Sequence, residues 1–326
     1  MDIFFYEAFD EETHALKKYL PDRLKVGFTP KTIQEYSRVE PPARFISIRT
    51  QSLLPGGWSK KLAAILSRST GYNHLHRYVT EFACRIPCGY LPLYCHRAVA
   101  EQAILLTMAL LRNLPKQIAH FYEFNRDGIT GYECEHRTIA VVGVGNIGYE
   151  AVRIARGLGM RVLGVDIVEK HSDVTYVTID YVLSVADVIV SAMNLTYDNA
   201  GYFNYDRLKK ARKGLIFVNV SRGEISPSLH LLQLMRENHL GGVGLDVYCN
   251  ESELAVNLRN ASISNDEEVK ATLELSRYSN VILTPHNAFN TQEAVDRKAC
   301  QSVQQVLNFL EHGRFIWTVP YPSDSC

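Results

Sequence analysis

The stretch Thr138-Ile139-Ala140-Val141-Val142-Gly143-Val144-Gly145-Asn146-Ile147-Gly148 decides the fold. Thr138 to Val142 is apolar and largely β-branched, a buried strand, and a glycine-rich turn follows it directly. Downstream, Ile147, Ala151, Ile154, Ala155 and Leu158 fall on one face of a helix. Gly143 permits the tight turn, Gly145 lets backbone approach a pyrophosphate, and Gly148 lets helix and strand pack closely. The helix then points its free N–H groups at the phosphates. A second strand, Arg161 to Val165, leads into Asp166, eighteen residues after Gly148, where a carboxylate can bind a ribose 2′-hydroxyl. Ile167 and Val168 offer no cation for a 2′-phosphate, so the dinucleotide is read as NAD and not NADP.

Working outward, four more apolar runs follow: Asp187 to Ser191, Leu215 to Val220, Gly242 to Val247 and Val281 to Leu283. Near-continuous hydrophobic strands separated by helical stretches suit a parallel sheet covered on both faces, a doubly wound α/β domain. Toward the amino terminus, Ile3 to Tyr6, Phe45 to Ile48 and Ala63 to Leu66 read as strands, and Glu11 to Leu20 as a helix stopped by Pro21. Ala98 to Leu114 is apolar around its whole circumference, which predicts burial on several sides and points to a homodimer. The last helix, Gln292 to His312, is expected to pack back on the first domain, and polar Ser252 to Ser279 to form a surface excursion. The expected organisation is a first domain over 1–96, a dinucleotide domain over 97–290, and a return to the first domain over 291–326.

Composition narrows the function. A chain of 326 residues exceeds the size at which one core stops growing, and 46% hydrophobic residues can fill two. Lys+Arg and Asp+Glu both number 35, and this zero balance gives no basic excess for nucleic acid. Met1-Asp2-Ile3-Phe4-Phe5-Tyr6-Glu7 is acidic where a signal peptide is basic, and Ala103 to Leu111 is too short to span a bilayer. Seven scattered cysteines suit a reducing cytoplasm rather than a disulfide framework. Cys84, Cys88 and Cys95 lie close to His96, but the spacing matches no common zinc pattern and no metal is expected.

Three segments stand at the ends of later strands, where ligands bind in open α/β sheets. They are Val218-Asn219-Val220-Ser221-Arg222-Gly223, Gly244-Leu245-Asp246-Val247-Tyr248-Cys249-Asn250-Glu251 and Thr284-Pro285-His286-Asn287-Ala288-Phe289. Singly, Arg222 reads as a surface cation, Glu251 as a loop acid and His286 as a hydrogen-bonded histidine. In this order, and with the glycine motif, they resemble the D-isomer-specific 2-hydroxyacid dehydrogenase family, particularly its D-lactate branch. The similarity runs from about Ser67 to His312. It implies a Rossmann NAD-binding domain inserted in a flavodoxin-like substrate domain, both doubly wound α/β.

By this resemblance Arg222, Glu251 and His286 are the catalytic Arg, Glu and His. Asp246 lies beside the nicotinamide carboxamide, and Asn146 and Ile147 meet the pyrophosphate. Met193, Asn194, Asn199, Val220 and Ser221 line the rest of the dinucleotide groove. Arg68-Ser69-Thr70-Gly71-Tyr72-Asn73 is similar to the family's carboxylate-holding loop, with Thr70 and Gly71 giving backbone N–H groups. Tyr94 and Phe289 would wall the substrate pocket, with ordinary core packing as the competing reading. Two positions depart from the family pattern. Asn194 replaces a proline, and Cys249-Asn250 replaces the usual Glu-x before the catalytic acid. Glu253 is therefore a second candidate acid, although the five-residue step from Asp246 favours Glu251.

The chemistry agrees with the resemblance. Arg222 can fork across the carboxylate and carbonyl of a 2-keto acid. His286 as imidazolium can protonate the carbonyl oxygen while NADH supplies hydride. A Glu251 carboxylate on the other ring nitrogen favours the protonated ring. Other readings are a dehydrogenase for a bulkier keto acid or for phosphite, and an NAD-sensing binding protein like the C-terminal-binding corepressors. The chain has no long disordered tails, which counts against a scaffold.

Overall fold

A computed structural model describes residues 1–321; residues 322–326 of the expected returning segment lie outside it. The chain divides into two compact units, Met1–Cys95 with the segment from Asn290 onward, and His96–Phe289.

The first unit begins with strand β1 (Ile3–Phe5), helix α1 (Asp10–Tyr19), β2 (Val26–Phe28) and the short α2 (Ile33–Tyr36). Strands β3 (Phe45–Ile48) and β4 (Ala64–Ser67), helix α3 (Asn73–Glu81) and β5 (Cys88–Gly89) follow. The sheet order is β2-β1-β3-β4-β5 and the pairings are all parallel. This is the flavodoxin-like order, with its reversal between β1 and β3. Strands β1, β3 and β4 are buried along their whole length, as covered parallel strands must be. The pattern in the sequence missed β2, β5 and α3, the first two because runs of three and two residues carry too little periodicity.

The second unit opens with α4 (His96–Leu111) and α5 (Leu114–His120), then β6 (Thr138–Val142), α6 (Asn146–Gly157) and β7 (Arg161–Val165). Next come α7 (Ile179–Val185), β8 (Val188–Ser191), α8 (Tyr205–Lys209), β9 (Leu215–Asn219), α9 (Ser228–Arg236) and β10 (Leu240–Leu245). It closes with α10 (Glu251–Asn260), α11 (Glu267–Leu275) and β11 (Val281–Leu283). The strand order is β11-β10-β9-β8-β6-β7 and the pairings are parallel. A single parallel bridge from Gly164 to Tyr176 stands on the far side of β7, a vestige of the third strand of a dinucleotide fold. With it the order becomes that of a Rossmann sheet, whose reversal falls between β6 and β8.

The stretch from Ser252 to Ser279 corrects the expected surface excursion. It forms α10 and α11, and Val269, Ala271 and Leu275 of α11 are buried in the core of this unit. Asp266 caps α11 by accepting from Val269 N at 3.0 Å. Three buried apolar positions, with buried Thr272 beside them, on a helix otherwise carrying Glu267, Glu268, Lys270 and Glu274 make a stripe narrow enough to be hidden by its polar neighbours. The chain then returns through α12 (Gln292–His312), which packs on α1 and β4 in the first unit.

Candidate active site

The glycine turn leaves β6 at the point where the strand order reverses. Gly143 adopts φ +91°, and a Cβ there would stand 2.7 Å from Met193 N. At Gly148 a Cβ would fall 1.9 Å from the Gly143 carbonyl oxygen, so α6 could not approach the strand with a side chain present. Nothing lies within 4 Å of the position a Gly145 Cβ would take, and no side chain caps α6. Exposed Gly145 and Asn146, half-buried Ile147 and the uncapped amides of the first turn therefore leave bare backbone of the kind a pyrophosphate requires. Asp166 has one oxygen on Val144 N at 2.6 Å and the other on Val168 N at 3.1 Å. Its charge thus also fastens the glycine turn, a task the spacing did not reveal. The residues present fit NAD.

Met193 and Asn194 follow β8. Thr196 and Asn199 close the next turn as a reciprocal cap, and the Asn199 amide donates to the Asn194 carbonyl at 2.7 Å. That closure gives the loop a fixed shape without the family's proline.

Asn219, at the end of β9, organises the arginine loop. Fully buried, it donates to the Arg222 carbonyl and to Ser226 Oγ, each at 2.8 Å. Its side-chain oxygen Oδ1 accepts from Ser221 N at 2.9 Å and Ser221 Oγ at 2.6 Å. Val220 N donates to the Ser191 carbonyl at 3.2 Å, which ties this loop to the end of β8. A buried amide that satisfies donors and acceptors within one loop makes that loop rigid. Arg222 is half-buried, and its guanidinium donates to the Ser221 carbonyl at 2.6 Å. Sequence reading quoted Asn219 only as part of a motif, since an asparagine ending a strand carries no periodic signal.

Asp246 follows β10 and is 1% exposed. It accepts from Thr284 Oγ1 at 2.5 Å and from the amides of Asn287 and Ala288, both at 2.9 Å. Burial pushes its pKa up against those hydrogen bonds. Its carboxylate therefore brackets His286, whose backbone stands in the left-handed region at φ +50°. That conformation costs a non-glycine residue roughly 1–3 kcal/mol and persists where surrounding bonds over-determine it. Here they let two successive amides turn to one carboxylate.

Glu251 opens α10, and both its oxygens lie 2.8 Å from His286 Nδ1. Glu253, the other candidate, accepts instead from Ser264 Oγ. A carboxylate only accepts, so Nδ1 donates and Nε2 is left for another partner. Cys249, in place of the usual acid, is half-buried, and burial with Glu268 and Glu224 nearby pushes its thiol up to about 12. It stays a thiol rather than a nucleophile.

In the first unit, Thr70 and Gly71 lie half-buried beyond β4, and Thr70 Oγ1 is 3.4 Å from Cys95 Sγ. Tyr94 is buried, its carbonyl accepting from Arg297 Nε at 2.9 Å, and burial raises its phenol well above the usual range. Phe289, half-buried, ends the second unit. Among the described residues, no group of three or more His, Cys, Asp or Glu could hold a metal ion.

A doubly wound sheet, a bare glycine turn at its reversal and a carboxylate-paired histidine define an NAD-dependent oxidoreductase. The family model for the NAD-binding domain of D-isomer-specific 2-hydroxyacid dehydrogenases matches residues 104–288. The D-lactate dehydrogenase of Escherichia coli is 32% identical over 229 residues, 68% of each chain. A D-lactate dehydrogenase from Aquifex aeolicus, solved with NAD and lactic acid, superposes with a TM-score of 0.82 at 24% identity over 96% of this chain and 98% of that one. A D-2-hydroxyisocaproate dehydrogenase gives 0.84 at 24% identity over 98% and 99%. The chain belongs to the D-isomer-specific 2-hydroxyacid dehydrogenase family.

Proposed function

We propose that this enzyme reduces a small, pyruvate-like 2-keto acid to the D-2-hydroxy acid, with His286 as proton donor. The observation that carries the reading is the Glu251 carboxylate on His286 Nδ1 at 2.8 Å. A carboxylate accepts, so Nδ1 donates to it and Nε2 is left as the nitrogen available to a substrate. When bound, the nicotinamide supplies the hydride. Arg222 forks across the substrate carboxylate and carbonyl, steadying charge on the oxygen that His286 protonates. In the opposite direction the neutral Nε2 accepts the hydroxyl proton, so one residue serves both. Thr70 and Gly71 give their N–H groups to the carboxylate, and Tyr94 and Phe289 bound the side-chain space. For the cofactor we assign Gly143, Gly145, Asn146, Ile147 and Gly148 to the pyrophosphate and Asp166 to the ribose. Met193, Asn194, Asn199, Val220, Ser221 and Asp246 line the remaining groove.

The same reading makes the chain a cytoplasmic homodimer. The described cysteines are all free thiols and no described helix is long and apolar enough to cross a membrane. Leu105, Ile118, Phe121 and Phe124 are more than half exposed on α4, α5 and the turn after them, an apolar face suited to a second copy. Sedimentation should give twice the mass of the chain, and a monomer would remove that part of the reading. The catalytic reading is tested by NADH oxidation with 2-keto acids of graded size. Turnover should peak with small side chains. NADH binding without turnover of any keto acid would favour a dinucleotide-sensing binding protein instead.

A further inference from the structure

Behind the Thr70–Gly71 loop runs a line of polar groups with no assigned task. Ser67 ends β4 with no exposed surface, Ser69 is 8% exposed, and His74 stands in the first turn of α3. Ser69 Oγ donates to the Gly71 carbonyl at 2.7 Å. The two serine oxygens are 2.6 Å apart, and Ser67 Oγ is 3.0 Å from His74 Nε2.

Counting protons fixes the direction. Each hydroxyl has one proton to give. That of Ser69 goes to Gly71, so the proton in the short serine–serine contact belongs to Ser67. Ser67 then offers His74 only a lone pair, and Nε2 must be the donor. If Nε2 carried no proton, Ser67 would turn its own toward the ring. Two hydroxyl oxygens would then face each other at 2.6 Å with nothing between them. The line runs one way, from His74 through Ser67 and Ser69 to the Gly71 carbonyl.

We propose that His74 is a positioning residue for the substrate carboxylate, acting through Ser67 and Ser69 on the peptide that follows Gly71. The inference rests on the reading that the Thr70–Gly71 loop holds the carboxylate. A glycine peptide turns freely unless it is held. Turned over, it would present a carbonyl oxygen where an anion must bind. The serine bond keeps that carbonyl inward, and on the near side Leu91 N donates to the Ser69 carbonyl at 3.1 Å. Each held carbonyl sets the N–H of its own peptide on the opposite side, that of Thr70 for Ser69 and that of Tyr72 for Gly71, and the Gly71 N–H lies in the peptide pinned between them. Since the line touches neither the hydride nor the proton in flight, its effect belongs in KM.

The test compares the unmodified protein with His74→Leu, His74→Gln and Ser69→Ala, using NADH and the best keto acid of the graded series. His74→Leu and Ser69→Ala should each raise KM for the keto acid about tenfold, the equivalent of roughly 1.4 kcal/mol for a lost buried hydrogen bond. kcat should stay within about threefold and NADH affinity should not move. His74→Gln, whose amide reaches about as far as Nε2, should return KM to within about threefold of the unmodified value. An unchanged KM in Ser69→Ala, which decides the matter if His74→Leu does not fold, overturns the inference. So does a glutamine variant as impaired as the leucine one. If the unmodified protein turns over no keto acid, the parent reading fails and this one with it; if it does and KM is insensitive, only this one fails.

Discussion

Two acid–base clusters, one taken from each unit, are built to opposite ends. In the second unit His286 and Glu251 have side chains 29% and 25% exposed. In the first, Arg68, Glu12 and Lys298 are sealed, with side chains 0%, 5% and 2% exposed. Glu12 Oε1 accepts from Arg68 Nε at 2.8 Å and lies 2.9 Å from Lys298 Nζ, while Arg68 also reaches Ser47 Oγ and the Tyr6 carbonyl. Burial works against ionising Glu12, but Arg68 and Lys298 outweigh it and hold the carboxyl near 2. Burial pulls Lys298 down to about 8 against the attraction of Glu12. A sealed cluster has no route for a proton to a ligand, whereas a partly open pair whose histidine has one nitrogen free can deliver one. Access separates structure from chemistry.

The comparison breaks first at His286. We predict that His286→Gln lowers kcat/KM for keto-acid reduction by about 10²–10⁴, the usual worth of a general acid, with NADH affinity retained. Lost NADH binding would mean the histidine is structural, like the sealed cluster. For that cluster the loss should be in stability. Glu12→Gln leaves two buried cations facing each other and should cost about 3–5 kcal/mol in urea unfolding at neutral pH. Lys298→Met should be neutral or stabilising, because the Arg68–Glu12 pair survives and the surplus charge goes. Equal losses in both variants would show that the lysine is no surplus.

The pH dependence follows from the same cluster. Glu12 stays near 2 when folded against an ordinary 4.5, so its contribution is complete above about 4.5 and is lost as pH falls toward 2. Lys298 has the opposite sign. Between about 8 and 10.5 the unfolded chain holds more protons on it than the folded one, so stability rises through that window. Unfolding curves taken at pH 8 and 10 should show the rise in the unmodified protein and not in Lys298→Met.

Smaller effects belong to the residues around the histidine. Arg222→Lys keeps charge but loses the fork, and should cost about 2–4 kcal/mol in kcat/KM with NADH binding kept. Near-normal keto-acid kinetics would remove Arg222 from its role. Asp166 should favour NADH over NADPH by at least tenfold, about 1.4 kcal/mol. Asp166→Ser should narrow that preference and also weaken NADH itself, because Val144 N loses its acceptor. Narrowing without weakening would show that the turn does not depend on the carboxylate.

How much of this was legible in the sequence follows the same divide. The glycine turn, Asp166 and α12 could be read because each is a local pattern, a spacing or a period within a few turns of chain. The five-residue step from Asp246 that favoured Glu251 over Glu253 is a spacing in the sequence, and in the structure Glu251 stands 2.8 Å from His286 Nδ1. The sealed cluster was not, since Arg68 and Glu12 stand 56 residues apart and nothing local announces their meeting. Asn219 and Asp246 were visible as motif letters, but their work of bracing Arg222 and His286 is done by buried hydrogen bonds. The misreading of Ser252 to Ser279 came from composition, where polar residues outnumbered the three apolar ones that α11 buries.

The most direct test of the central claim is kcat/KM for keto-acid reduction in the unmodified enzyme, in Glu251→Gln and in Glu253→Gln, with NADH affinity measured beside each. The Glu251 carboxylate lies 2.8 Å from His286 Nδ1, whereas Glu253 accepts from Ser264 Oγ. The account predicts that Glu251→Gln lowers kcat/KM by about tenfold or more with NADH affinity kept, and that Glu253→Gln stays within about threefold. Equal losses in the two variants, or a Glu251→Gln enzyme with unchanged kcat/KM, would contradict it.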